Sequence, residues 1–245
     1  MYNQIIKNNQ LTFVDGRFYV DETGQYFPSV TTILEAYPKP FALMQWIKEN
    51  GENADKIRDA AGERGSAVHH LTEDYDNGLE CNLLNEQGNP QHSLEVWGMF
   101  EKYVDFSTRY SPVHELIEQN IISSCLGFAG TIDRVSTIYD KKYVLDLKTS
   151  NMIANSYWLQ MAAYRDLLYV ETGIKTDGVA ILWLNAKTRT TGAKGDIQGV
   201  GWQLITKEDT ISDMILFNAT KQLWIAEHEN DKPKSFSYQL THQKP

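Results

Sequence analysis

The chain reads as an α/β (α+β) fold, a mixed central sheet flanked by helices with a helical N-terminal extension. Three observations predict this. Apolar residues recur at helical spacing through much of residues 29–109. From His114 the period shortens to two over three successive runs divided by short turns. A helical run then separates those strands from two more, and a last helix follows. From Glu95 the order is therefore helix, three strands, helix, strand, strand, helix, which suits a sheet covered by helices.

Each element has its own signal. Leu11 to Val20 alternates about Asp15-Gly16, a tight-turn pair, and predicts a hairpin. Pro28 to Ala36 predicts a short helix capped by Ser29. Pro40 starts a second helix that runs through Trp46 and stops near Gly51. Glu52 to Asp76 predicts a helix interrupted around Gly62 and Gly65. Asn77 to Gln91 is polar and turn-rich, hence a loop. Leu94 to Arg109 predicts an amphipathic helix with Val96, Trp97, Phe100, Tyr103 and Val104 on or near one face. Strands follow at 114–123, 128–138 and 142–149. Tyr157 to Glu171 is a helix closed by Gly173, and strands at 179–185 and 200–205 come next. The final helix is expected over Thr206 to His228, with Thr206 as cap, Asp209 in its first turn, and Ile211, Ile215, Ala219, Leu223 and Ala226 as its buried stripe. Residues 1–110 (hairpin and helices) and 111–245 (the sheet-rich part) read as one integrated unit.

Composition narrows the class. The 245 residues are 42% hydrophobic, as in an ordinary globular chain. No apolar run approaches the ~18 residues that span a membrane, and Met1 to Gln10 reads as too polar for a secretory signal. The two cysteines, Cys81 and Cys125, are far apart and lack metal-ligand spacing, which favours a reducing compartment. The net charge of −9 opposes the basic footprint usual in nucleic-acid enzymes. Positive charge is local instead: Lys48, Lys56, Arg58 and Arg64 form one group, and Lys187, Arg189 and Lys194 another. Either group could line a DNA groove; the plain alternative is ordinary solvated charge, and for the first group the two readings weigh equally.

The chemistry concentrates between Gly130 and Thr149. On a strand from Tyr143 to Thr149, Asp146 and Lys148 share one face while Leu145 and Leu147 share the other. A hairpin turning at Tyr139-Asp140-Lys141-Lys142 can bring Asp133 beside Asp146. Two carboxylates plus water can hold Mg²⁺ or Mn²⁺, and an adjacent lysine can orient water or stabilise phosphate charge. Asp-x-Lys alone arises by chance in many chains, and its plain alternative is a pair of surface charges on a half-exposed sheet.

The surrounding string is more specific. Gly65-Ser66-Ala67-Val68-His69, Gly130-Thr131-Ile132-Asp133, Asp146-Leu147-Lys148-Thr149-Ser150 and Gln160-Met161-Ala162-Ala163-Tyr164 occur in that order. Together they resemble the PD-(D/E)xK nuclease superfamily in its RecB-like branch. Pro28-Ser29-Val30-Thr31-Thr32 and Trp46 resemble the lead-in of phage exonucleases and of the mitochondrial genome-maintenance exonucleases. The resemblance covers about residues 28–170.

The resemblance implies a restriction-endonuclease-like core and a Mg²⁺- or Mn²⁺-dependent deoxyribonuclease. It implies an exonuclease acting on single-stranded DNA ends in recombination or repair. By analogy this happens in the cytoplasm of a bacterium or phage-infected host, beside a recombination or replication protein. His69, Asp133, Asp146 and the Leu147 carbonyl are the implied metal ligands. Glu118 joins them from the preceding strand, with Glu115 as its competitor. Lys148 positions or deprotonates the attacking water, and Gln160 and Tyr164 face the metal and the DNA backbone. Thr149, Ser150, Arg64, Lys187 and Arg189 are candidate DNA contacts, and Tyr37 and Trp46 candidate stacking residues; the other tryptophans read as core. His70 points a third of the way round the helix from His69, and Glu73 is placed to bond the second ring nitrogen of His69. Arg134 points away from the metal if its strand is regular. An iron–sulfur cluster is not expected, because some relatives hold one with four cysteines and this chain has two. Two other readings stay open: a structure-specific endonuclease on the same core, and a non-catalytic DNA-binding or scaffold protein, which the −9 charge favours.

Overall fold

The structure is a computed structural model that describes residues 10–13, 16–186 and 201–228. Strands β1 (Gln10–Phe13), β2 (Gly16–Val20) and β3 (Tyr26–Pro28) form an antiparallel sheet. Phe13 pairs with Gly16, so the hairpin turns at residues 14–15, which lie outside the described residues. Strand β3 was not expected; at three residues it is too short to show a period. Ser29 caps α1 (Val30–Ile33), its Oγ accepting the Thr32 N–H at 2.9 Å. A 3₁₀ turn, Leu34–Ala36, follows.

Helix α2 (Phe41–Asn50) ends at Gly51, whose φ of 52° is the left-handed kind that terminates helices. Helix α3 (Asn53–Asp76) runs unbroken, which corrects the expected interruption at Gly62 and Gly65. Each mid-helix glycine costs only about 1 kcal/mol, and burial of Ala54, Val68, Leu71 and Thr72 offsets it. Helix α4 (Leu94–Tyr110) is capped by Ser93 and buries Val96, Met99, Phe100, Tyr103 and Phe106.

The second sheet carries the site. It contains β4 (Val113–Ser123), β5 (Phe128–Ile138), β6 (Lys141–Lys148), β7 (Gly178–Trp183) and β8 (Gln203–Lys207) in that spatial order. Only β6 and β7 are parallel. Their crossover is α5 (Asn155–Thr172), closed by Gly173 at φ 74°. The fold is thus mixed α/β, with a five-stranded mixed sheet flanked by helices. One core joins Val144, Val179 and Ile181 to residues of α1 and α5 and to Phe217. The other joins Leu145, Leu147 and Leu182 to α3 and α4. Residues before and after position 110 share both cores, so the N-terminal helices are built into the sheet's packing.

Helix α6 (Ile211–His228) departs from expectation twice. Thr206 is not its cap, because β8 keeps pairing with β7 through Lys207. Its buried stripe is Asp213, Phe217, Thr220 and Trp224, whereas Ile211, Ile215 and Leu223 are exposed. The helix carries apolar residues on two faces. Apolar spacing favours the exposed aliphatic face; ring contacts of Phe217 with Phe128 and of Trp224 with Phe18 dock the other, which also carries Asp213 and Thr220. Trp183, Trp202 and Trp224 are core residues, in line with expectation. Among the described residues no helix is long and apolar enough to cross a membrane.

Candidate metal centre

The site lies where β5 and β6 part. They pair from Ile138–Lys141 to Arg134–Leu145 and no further. Past that point the Asp133 carboxylate takes over the ladder's role: Oδ2 accepts the Leu147 N–H at 2.8 Å. The fork leaves the Leu147 carbonyl facing His69 of α3, whose Nε2 lies 3.1 Å away. The other ring nitrogen, Nδ1, lies 3.4 Å from Glu118 Oε1 and 3.5 Å from Asp133 Oδ2. His69, Glu118 and Asp133 each offer a ligand atom within 4.8 Å of the others.

Glu118 reaches this cluster through unusual backbone. The β4–β5 ladder pairs Ile117 with Arg134 and Gln119 with Ile132, passing over Glu118. Its φ is 47°, a left-handed conformation that costs a non-glycine residue about 1–2 kcal/mol. Strain of this kind inside a strand marks functional positions, and here it accompanies a carboxylate aimed at His69. Glu115, its competitor, instead pairs with Lys142 at 2.6 Å on the surface.

Asp146 and Lys148 share a face of β6, opposite Leu145 and Leu147. Lys148 Nζ is 2.7 Å from Asp146 Oδ2 and donates to Gln160 Oε1 at 3.1 Å. Gln160 Nε2 in turn reaches Asp146 Oδ1 at 3.4 Å and the Tyr164 hydroxyl at 3.1 Å. Gln160 and Tyr164 are both buried. Gln160 thus links the Asp146–Lys148 pair to the Tyr164 hydroxyl. The glycine of Gly130-Thr131-Ile132-Asp133 has a packing reason: a Cβ there would lie 2.5 Å from Tyr164 Cε1.

The electrostatics are those of crowded acids. Burial pushes Asp146 up to about 6; Asp133 adds to the shift while Lys148 and His69 oppose it. Burial and Glu118 likewise raise Asp133. Burial lowers His69, but Asp133, Glu118 and Asp146 outweigh it and lift the imidazole to about 9. Lys148 is raised by Asp146 and Asp133 despite burial. Glu118, Asp133 and Asp146 crowd together here, met by His69, Lys148 and the Arg134 guanidinium.

A hard divalent cation fits this donor set. The Asp146 Oδ2 atom is buried and, although close to Lys148 Nζ, forms no aligned hydrogen bond. Its partner here is the Lys148 ammonium at 2.7 Å, which leaves carboxylate lone pairs for an ion. The 3.1 Å between His69 Nε2 and the Leu147 oxygen also suits neighbouring ligands on an octahedral ion, which at ~2.1 Å bond lengths lie ~3 Å apart.

The remaining expected residues fall unevenly. Thr149 lies against α3, its Oγ1 3.3 Å from where a Gly65 Cβ would stand. The Ser150 hydroxyl donates to the Met152 carbonyl at 2.8 Å. Arg64 sits on α3 beside Glu95 at 3.3 Å. Tyr37 and Trp46 are both half-buried, Tyr37 against the α1–α5 core. Lys187 and Arg189 lie outside the described residues. His70 is exposed, and Glu73 pairs with it at 3.7 Å rather than with His69, since successive helix positions face different ways.

Sequence reasoning missed the support behind Glu118. Arg134, expected to point away from the metal, is fully buried and reaches Glu118 of the acid cluster. Its Nε donates to Asp76 Oδ2 at 2.7 Å, its Nη1 to Glu118 Oε1 at 3.1 Å, and its Nη2 to Thr72 at 3.3 Å. Tyr103 and His114 complete the cage around Asp76. The hint was a second charged residue, directly after Asp133, between Ile132 and Val135. The chain matches no protein-family model and no curated protein.

Proposed function

We propose that the protein is a Mg²⁺- or Mn²⁺-dependent deoxyribonuclease of the PD-(D/E)xK type, RecB-like branch, with a restriction-endonuclease-like core. Its reaction is hydrolysis of a DNA phosphodiester bond, as an exonuclease on single-stranded ends. The observation that carries this reading is the meeting, at one strand fork, of His69, Glu118 and Asp133 with the Asp146–Lys148 pair. The order of the four motifs supports it. His69, Asp133, Asp146, Glu118 and the Leu147 carbonyl would hold the ion, which supplies Lewis acidity toward a phosphoryl oxygen and the attacking water. Lys148, steadied by Asp146 and Gln160, presents its ammonium to the phosphate and the incoming water. Water adds to phosphorus, the bond to the 3′ oxygen breaks, and that oxygen takes up a proton. Arg134 keeps Glu118 in place, and Tyr164 keeps Gln160 in place.

The test uses 5′- and 3′-labelled linear single- and double-stranded DNA with a circular single strand, each with Mg²⁺, Mn²⁺ or EDTA. Metal-dependent loss from linear ends alone, abolished in Asp146→Ala, is expected. Cutting of the circle would select the endonuclease reading. No cutting with either metal would select a non-catalytic binding protein, the outcome the −9 charge favours.

A further inference from the structure

An open cavity of about 560 Å³ lies between α2, the first half of α3 and the loop after β6. Asn50, Asn53, Lys56, Ile57, Arg64 and Asn151 line most of it. No Asp or Glu lines it among the described residues, in a chain with 32 acids and 23 bases. The acids adjoining the lining residues in sequence, Glu49, Glu52, Asp55, Asp59 and Glu63, are all exposed, and Asp55 and Asp59 pair with Arg58.

Two observations give the cavity a chemistry. Arg64 Nε is buried and has no hydrogen-bond partner, while its Nη1 meets only the exposed Glu95 at 3.3 Å. A buried guanidinium N–H without an acceptor is costly, and the site's other donors are an ammonium and side-chain amides. This set suits an anion with several acceptor oxygens. The second is position. Ile57, Ala61, Gly65 and His69 follow one another at four-residue spacing, so they form one face of α3. That face leads from the cavity to the candidate metal ligand. Arg64 precedes His69 by about 7.5 Å of helix rise, with Thr149 lying against the Gly65 turn between them. Asn151 follows Lys148 by three residues, so at most ~11 Å of chain separates cavity from cleft.

We infer that this cavity is a strand-tracking subsite, in which Arg64 and Lys56 bind an internal backbone phosphate of the nucleic-acid strand near the bond held at the His69 cluster. The inference rests on the nuclease reading. It explains how a chain of net charge −9 grips a polyanion: through one acid-free pocket rather than a basic face.

The test is the salt dependence of binding. Fluorescence anisotropy measures a labelled single-stranded oligonucleotide of mixed sequence, with Ca²⁺ replacing Mg²⁺ to prevent turnover. Each phosphate contact contributes about 0.7 to the slope of log K against log salt for a single strand. Lys56→Gln/Arg64→Gln is expected to lower that slope by ~1.4 and to weaken two unrelated sequences equally. Ala60→Glu, which adds an acid at the exposed rim and removes nothing, is expected to weaken binding too. Oligonucleotides with a 5′ phosphate and a 5′ hydroxyl should lose equally. Circular dichroism melts confirm that each variant folds. If the wild-type protein binds and both variants keep its slope and affinity, the subsite is refuted and the nuclease reading stands. A loss confined to the 5′-phosphorylated strand would refute the internal-phosphate assignment. A wild-type protein that binds no strand would overturn subsite and nuclease reading together.

Discussion

Replacing Gly130 by alanine tests how the motif builds the site. The added methyl would stand 2.5 Å from Tyr164 Cε1, 3.2 Å from Cδ1 and 3.3 Å from Cζ. Carbon atoms prefer ~3.5–4.0 Å, so the ring or the β5 backbone must retreat by ~1 Å. Neither can do so freely, because Tyr164 is 5% exposed and β5 is paired to β4 on this side. Overpacking a filled core costs about 1–3 kcal/mol. In a chain of this size that lowers Tm by roughly 2–12 °C, at about 2–4 °C per kcal/mol. The displacement also passes to Gln160, bonded to the Tyr164 hydroxyl at 3.1 Å, and from it to Lys148 at 3.1 Å. A misplacement of ~1 Å in a reacting group costs on the order of a hundredfold in rate. The assay is a double-mutant cycle on thermal unfolding and DNA cleavage with Gly130→Ala, Tyr164→Leu and the pair. Tyr164→Leu removes the clash, so the pair should be about 1 kcal/mol or more less destabilised than the sum of the singles. An unshifted Tm for Gly130→Ala, or strictly additive singles, would refute the steric account of this glycine.

Two further outcomes follow from the support of Glu118. Glu118→Gly should be more stable than Glu118→Ala by about 1–2 kcal/mol, since only glycine relaxes at φ 47°. Both should lose Mn²⁺ affinity in calorimetric titration, and equal stabilities would count against backbone strain. The second concerns acid. Burial works to raise Asp76, but His114, Arg134 and Tyr103 outweigh it and hold its carboxyl below 3.8. A carboxyl depressed by folding contributes stability that is full above its unfolded pKa and lost as pH falls through the folded value. Urea melts between pH 5 and pH 2 should therefore show a shallower acid loss for Asp76→Asn than for wild type; parallel curves would remove Asp76 from the acid-sensitive groups.

The chain's local patterns determined a good deal. The order of helices and strands from Glu95 onward was readable because periods of 3.6 and 2 are set within a few residues. The shared face of Asp146 and Lys148 was readable for the same reason, as was the Ser29 cap. Glu118 could be named but not separated from Glu115 with certainty of cause. What aims it at His69 is a left-handed residue in a strand, and no local propensity calls for that at a glutamate. The buried face of α6 was misread because the aliphatic stripe is the more apolar one along the chain, whereas the face that docks carries Asp213 and Thr220 and is chosen by the packing of Phe217 and Trp224 against distant rings. Arg134 received from the strand period only a direction away from the metal. Its burial depends on Asp76 and Thr72, about sixty positions away in sequence, closing round it. Sequence alone fixes what neighbours along the chain can settle. Which buried charges find partners, and which apolar face is covered, depends on contacts between residues that meet only once the chain has folded.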